Sequence, residues 1–215
     1  MYKIKICGIQ RLGHLQAAIE GGASYVGFVF FEDSRRNVSI ENAKKLADSV
    51  PNAVTSVALM VNPTDTFICQ VLERVSVDML QLHGHESIDR VKSIKRLTGL
   101  PIMKALGIRS KDDLGLINKY EIVADQILLD AKPPVDAKVP GGLGKSFDWD
   151  ILASFQFKNP WLLAGGLTAK NVKIAQKKTG ASQFDVSSGV EDEFGRKSNK
   201  KILEFLNELN GVIDE

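Results

Sequence analysis

Residues 161–191 read WLLAGGLTAKNVKIAQKKTGASQFDVSSGVE. An apolar run, Trp161 to Ala164, stops at a pair of glycines. Thr168 then opens a segment with Val172 and Ala175 on one face, and Gly180 ends it. A second apolar run follows and hands over to Ser187, Ser188 and Gly189. The pattern is strand, helix, strand, and it repeats along the chain. Working outward, apolar runs of strand length recur at 3–6 (KIKI), 25–30 (YVGFVF), 54–61 (VTSVALMV), 78–82 (DMLQL), 101–106 (PIMKAL) and 125–129 (DQILL). Between them lie helix starts. Ser39 precedes Ile40, Ala43, Leu46, Ala47 and Val50, and Asn62-Pro63 reads as a cap with proline at the first helical position. Ser87 precedes Val91 and Ile94, and Ser110 precedes Leu114 and Ile117. Asp148 precedes Ile151 and Leu152, and Ser198 precedes Ile202, Phe205, Leu206 and Leu209.

Alternating strands and helices place the chain in the α/β class, with a parallel sheet and helices outside it. Eight such units in 215 residues predict a single (β/α)8 TIM barrel spanning 1–215 as one domain. An open doubly wound sheet is the alternative. It usually carries fewer strands, and its Gly-x-Gly-x-x-Gly after the first strand is missing. One long irregular stretch, AKPPVDAKVPGGLGKS at 131–146, reads as an active-site lid or binding loop.

Bulk properties exclude several function classes. The formal net charge is +2, too small to imply a nucleic-acid partner or an anionic membrane surface. No apolar run reaches the ~20 residues that span a bilayer, and MYKIKICGIQ lacks a signal-peptide core. The two cysteines, Cys7 and Cys69, fit no disulfide framework and no Cys-x-x-Cys motif. A soluble cytoplasmic protein with reduced thiols is expected. Cys69 is expected to be an inert core residue beside Phe67 and Ile68.

In a barrel of this type, chemistry sits at the C-terminal ends of the strands. Gly165 and Gly166 follow the seventh run; Ser187 and Ser188 follow the eighth. Loops at those two places are the usual phosphate site of the fold, because glycines admit an anion to the backbone and a helix start supplies N–H donors. The two serines add hydroxyl donors, so the partner is expected to be a phosphorylated small molecule. Cys7 ends the first run beside a glycine and can serve as nucleophile or base once ionised. Asp130 follows ILL, and its apolar approach suits a general acid, with a helix cap or a salt bridge to Lys132 as the plainer alternative. Asp185 competes for the same role, and chain position does not choose between them. His83 and His85 form His-x-His, but a zinc site needs three or four ligands. The third histidine, His14, belongs to the first helix region, so no metal is expected. His83 is expected to bind substrate or to pack near the mouth, and His85 to be a solvated loop residue. Arg36 can hold a carboxylate in a bidentate fork; otherwise it is a surface arginine paired with Asp33 or Glu32.

Taken in order, KICGI, GFVF followed by SRR, QLHG, LLD, GGLGKSFDW, LLAGGL and DVSSGVE resemble the phosphoribosylanthranilate isomerases. The resemblance spans Lys5 to Glu191, and the ordered set is far more specific than any one motif. It implies a cofactor-free Amadori rearrangement in tryptophan biosynthesis, with Asp130 as general acid and Cys7 as general base. It also implies that Arg36 meets the anthranilate carboxylate, that His83 lines the site and that Asp185 contacts the ribose chain. The family often reads Ser-Pro-Arg where this chain has Ser34-Arg35-Arg36, so the carboxylate falls to Arg36 or Arg35. Distance from GFVF favours Arg36. Gln10 replaces a threonine. A rival phosphate-handling barrel, indole-glycerol-phosphate synthase, needs a catalytic lysine and glutamate on early strands, and here the first strand ends in Cys7. A metal-dependent hydrolase using His83 and His85, or a sugar-phosphate sensor without turnover, are the other readings. Sequence leaves open a monomer or a homodimer, and relaxed specificity toward a histidine-pathway aminoaldose.

Overall fold

The structure, a computed structural model, describes residues 2–132, 141–142, 144 and 146–211. Eight parallel strands close into a barrel in chain order. They are β1 (Lys3–Cys7), β2 (Tyr25–Phe30), β3 (Thr55–Met60), β4 (Met79–Leu82), β5 (Ile102–Ile108), β6 (Gln126–Ala131), β7 (Trp161–Leu163) and β8 (Gln183–Val186). Each falls on an apolar run seen in the sequence. The ring closes by pairing β1 with β8, Lys5 opposite Asp185. The open-sheet alternative is thereby excluded.

Seven α-helices surround the barrel among the described residues: α1 (Leu12–Glu20), α2 (Ile40–Ala47), α3 (Asp65–Leu72), α4 (Ile88–Thr98), α5 (Leu114–Tyr120), α6 (Val172–Thr179) and α7 (Asn199–Asn210). Ser39, Ser87 and Ser198 cap their helices, each side chain accepting an N–H three residues on, a contact worth about 1 kcal/mol. Gly180 ends α6 in the left-handed conformation, as its position predicted.

Four local expectations need correction. Asp148 does not start an α-helix; a single 3-10 turn, Trp149–Leu152, follows it. Its two buried side chains, Ile151 and Leu152, cover the barrel without a longer helix. The N-cap of α3 is Thr64, not Asn62. Asn62 takes a left-handed φ of 45°, and its Oδ1 accepts the His85 N–H at 2.7 Å. The cap of α6 is Asn171, while Thr168 belongs to the preceding turn. Cys69 is exposed, not buried. Ile68 and Val71 supply the buried face of α3, and the residue after Ile68 is turned about 100° away from it.

Every residue of β2 is buried, as expected of a parallel strand covered on both faces. Along β1 the side chains alternate. Ile4 and Ile6 join the core between barrel and helices, while Lys5 and Cys7 turn into the barrel. At the bottom of the barrel, the first residues of three strands close a polar triangle. Gln126 Nε2 donates to Tyr25 Oη and to Gln183 Oε1, each at 3.1 Å. Above it, Met103, Ala105, Leu128, Leu162 and Ala164 form an apolar plug. Among the described residues the barrel is filled below, and its open space lies at the strand C-termini.

Candidate active site

Those strand ends surround about 680 Å³ of open space. Cys7, Arg36, His83, Asp130, Asp185, Gly165, Gly166, Ser187 and Ser188 all line it, so every residue singled out at a strand end is brought to one cavity. His85 is exposed, and His14 lies on α1. Among the described residues no group of three His, Cys, Asp or Glu side chains is arranged to hold a metal ion. Most of the expected lid, residues 133–140 with Leu143 and Lys145, lies outside the described residues.

Asp130 is buried at the end of β6. Its Oδ1 accepts the Ala131 N–H at 2.8 Å, and its Oδ2 faces His83 Nε2 at 3.4 Å. Lys132 does not pair with it; that ammonium goes to Asp113 at 2.7 Å. Gln81 Nε2 sits 2.9 Å from His83 Nδ1. With Gln81 donating there, the neutral ring carries its proton on Nε2, toward Asp130. Two glycines give this carboxyl its room. A β carbon on Gly141 would come 2.5 Å from Asp130 Oδ2, and one on Gly165 would come 2.8 Å from the Ala131 nitrogen.

A buried lysine on β5 braces the His83 loop from behind. Lys104 Nζ binds Glu86 Oε2 at 2.9 Å and donates to the Leu82 and Gly84 carbonyls at 3.1 and 2.8 Å. Burial pulls the Lys104 ammonium below its ordinary value, against the opposing charge of Glu86.

Arg36 is not a surface arginine paired with Asp33 or Glu32. Its Nε and Nη2 fork onto Glu191 at 2.6 and 3.0 Å, and Nη2 also reaches the Gly142 carbonyl at 3.1 Å. Gly8, with φ +83°, lets the arginine stem lie across the end of β1; a β carbon there would meet Arg36 Cδ at 2.8 Å. Gln10 holds the same loop through bonds from Nε2 to the Arg35 and Asn37 carbonyls. Arg35, more exposed, reaches the outer oxygen of Glu191 at 2.7 Å.

Glu191 and Lys197 are functional-site neighbours that sequence reasoning did not single out. Lys197 Nζ binds Glu191 Oε1 at 2.7 Å and Ser187 Oγ at 3.1 Å. Burial works to raise the Glu191 carboxyl, but the bonds from Arg36 and Lys197 hold it below its ordinary value. Burial brings Lys197 down to about 8 despite that partner. Ser187 differs from expectation as well, because its hydroxyl donates to the Cys7 carbonyl at 3.1 Å. Ser188, rather than Ser187, is the serine whose hydroxyl has no partner among the described residues.

The loops after β7 and β8 abut. Gly165 and Gly166 take φ values of +87° and +63°, and a β carbon on Gly189 would lie 1.8 Å from the Leu167 carbonyl oxygen. Gly189→Ala is therefore expected to push the two loops apart and destabilise the protein by about 1–3 kcal/mol. Thermal unfolding checks this, and an unchanged melting temperature would mean the loops have slack to give.

The family model described as N-(5'phosphoribosyl)anthranilate (PRA) isomerase matches residues 4–208. A curated relative from Paracoccus denitrificans named N-(5'-phosphoribosyl)anthranilate isomerase is 49% identical over 203 residues, covering 94% of each chain. One of the same name from Cereibacter sphaeroides is 47% identical over 204 residues, covering 95% of this chain and 96% of the relative. The crystal structure of phosphoribosyl anthranilate isomerase from Thermotoga maritima superposes with a TM-score of 0.88 at 34% identity, covering 99% of this chain and all of that one. A further structure of such an isomerase, in complex with reduced 1-(O-carboxyphenylamino)-1-deoxyribulose 5-phosphate, matches with a TM-score of 0.83 at 31% identity, covering 99% and 100%.

Proposed function

The chain belongs to the N-(5'-phosphoribosyl)anthranilate isomerase family, and from that premise we propose how its side chains divide the work. It is an isomerase of tryptophan biosynthesis that converts N-(5-phosphoribosyl)anthranilate to 1-(2-carboxyphenylamino)-1-deoxyribulose 5-phosphate. In our reading Asp130 gives a proton to the furanose ring oxygen. The bond from C1 to that oxygen breaks, and the anthranilate nitrogen lone pair closes a C1=N Schiff base. The Cys7 thiolate then removes the C2 proton. The C2–H electron pair becomes a C1=C2 double bond, and the C=N electrons return to nitrogen, leaving an enolamine. Protonation at C1 and loss of the proton on O2 give the ketone. Hydrogen and electrons have only moved within the substrate, so the balance needs no external oxidant or reductant.

The observation that carries this reading is that Cys7 and Asp130 line one cavity from β1 and β6. Acid and base can then address different atoms of one sugar. The glycine loops after β7 and β8, with the Ser188 hydroxyl, are our phosphate site. Arg36 is our contact for the anthranilate carboxylate and His83 lines the reacting sugar. Anchoring both ends of the substrate would fix C2 between acid and base. Asp185 contacts the ribose chain through its Oδ2, since its Oδ1 is occupied. The same reading puts the enzyme in the cytoplasm, where the free thiols Cys7 and Cys69 suit a reducing compartment.

The direct test is to generate phosphoribosylanthranilate in place, add purified protein with a chelator, and follow the loss of substrate fluorescence. Rapid, chelator-insensitive loss is expected. Binding without acceleration over the spontaneous decay would instead describe a sugar-phosphate sensor, and sensitivity to chelator would bring back a metal at His83.

A further inference from the structure

Beneath the base runs a short buried line of charge that the acid–base scheme does not use. Lys5 Nζ donates to Asp185 Oδ1 at 2.8 Å, and the two residues are register partners where β1 meets β8. Lys5 is fully buried and stands two residues before Cys7 on the same strand, so both side chains project to the barrel interior. Gly27 on β2 makes space for them. A β carbon at that position would lie 3.1 Å from both Lys5 Nζ and Cys7 Sγ. The ammonium and the Cys7 sulfur thus face the same small space beside Gly27, and the charge of Lys5 acts on the thiol.

We propose that Lys5 is a positioning residue for the isomerisation: bound to Asp185, it stabilises the thiolate that Cys7 forms beneath C2 of the substrate. The proposal rests on the reading of Cys7 as the base. A buried ammonium requires opposite charge around it; Asp185 supplies that charge, and a thiolate formed at Cys7 adds to it. Burial outweighs the charges around it and leaves the Cys7 thiol above its ordinary value. Lys5 is the largest influence drawing it back down; Lys197 adds a smaller pull, and Asp185 pushes it up. Asp130, His83 and Arg36 line the same cavity from the other strands. Burial works to lower Lys5 itself, but Asp185 and Cys7 outweigh it and the ammonium is raised to about 12. Lys5 thus stays cationic while Cys7 exchanges its proton with C2, and it stabilises the sulfur without entering the proton transfer. The same ion pair also ties the two strands at the closure, and the experiment must separate that structural duty from the proposed one.

The test uses a Cys69→Ser background, because Cys69 is exposed and would otherwise react with the probe. Iodoacetamide alkylation of Cys7 is followed against pH, alongside a pH profile of kcat/KM. Lys5→Gln is expected to move the alkylation midpoint up by about one pH unit or more. It should also lower kcat/KM about tenfold at neutral pH, with recovery as the solution is made more alkaline. Since Lys5→Gln leaves Asp185 buried without its partner and can fail to fold, Lys5→Gln with Asp185→Asn provides an uncharged pair. Its midpoint should still rise, though less, because the upward push of Asp185 is removed too. An unmoved midpoint in either folded variant would reduce Lys5 to a structural partner of Asp185 and overturn the proposal. Wild-type turnover in Cys7→Ser would instead remove the base itself, and the alkylation midpoints would still report on Lys5 separately.

Discussion

Cys7→Ser folds, binds substrate and loses most of its turnover: kcat is expected to fall about 10³-fold with KM little changed. Serine keeps the size of the side chain, and the backbone carbonyl of residue 7 still receives the Ser187 hydroxyl, so the loop after β8 stays in place. What changes is the acidity of the group. An alcohol at this position is far harder to ionise than a thiol, and Lys5 below it cannot make up the difference. The loss corresponds to about 4 kcal/mol of transition-state stabilisation. Steady-state kinetics with a thermal unfolding control would check it. Turnover close to that of the parent enzyme would require a different base.

Asp130→Asn is the second large effect, with kcat again lowered by a factor of about 10³. The asparagine can still accept the Ala131 N–H, so the strand end should survive. It cannot release a proton to the ring oxygen. The informative comparison is with Asp185→Asn. Asp185 already spends one oxygen on Lys5 at 2.8 Å, whereas the polar side chain facing Asp130 Oδ2 among the described residues is His83, at 3.4 Å. If Asp185→Asn abolished turnover and Asp130→Asn preserved it, the acid would have to be reassigned.

The strands were legible in the sequence because parallel strands are buried on both faces and read as unbroken apolar runs. The strand ends followed from them, which brought Cys7, Asp130, Asp185 and both glycine loops into view. The surrounding shell was not legible, for a definite reason. In KIKI, alternation shows that the two lysines share one face but not whether water covers that face. In a closed barrel the second face is the interior, so Lys5 is fully buried while Lys3 is exposed. Glu191 and Lys197 were hidden differently. They sit in a polar loop, where charge normally implies solvent, and only the fold reveals that Arg36 leans on that carboxylate. Cys69 was misjudged because α3 has only eight residues, too few turns for its apolar stripe to fix which neighbour faces out. The single 3-10 turn before β7 was misread as a helix because two apolar residues suffice to cover that strand.

The closure between β1 and β8 also bears on how the enzyme comes into being. Lys5 and Asp185 are 180 residues apart in the chain, and Ser187 reaches back over the same span to the Cys7 carbonyl. The base therefore sits on the first strand of the barrel to be made and is completed by the barrel's last. No nascent or partly folded form lacking β8 can hold that thiol in its working surroundings. Bringing such distant segments together is entropically slow, so catalytic competence arrives with the final closure of the ring, after most of the secondary structure has formed.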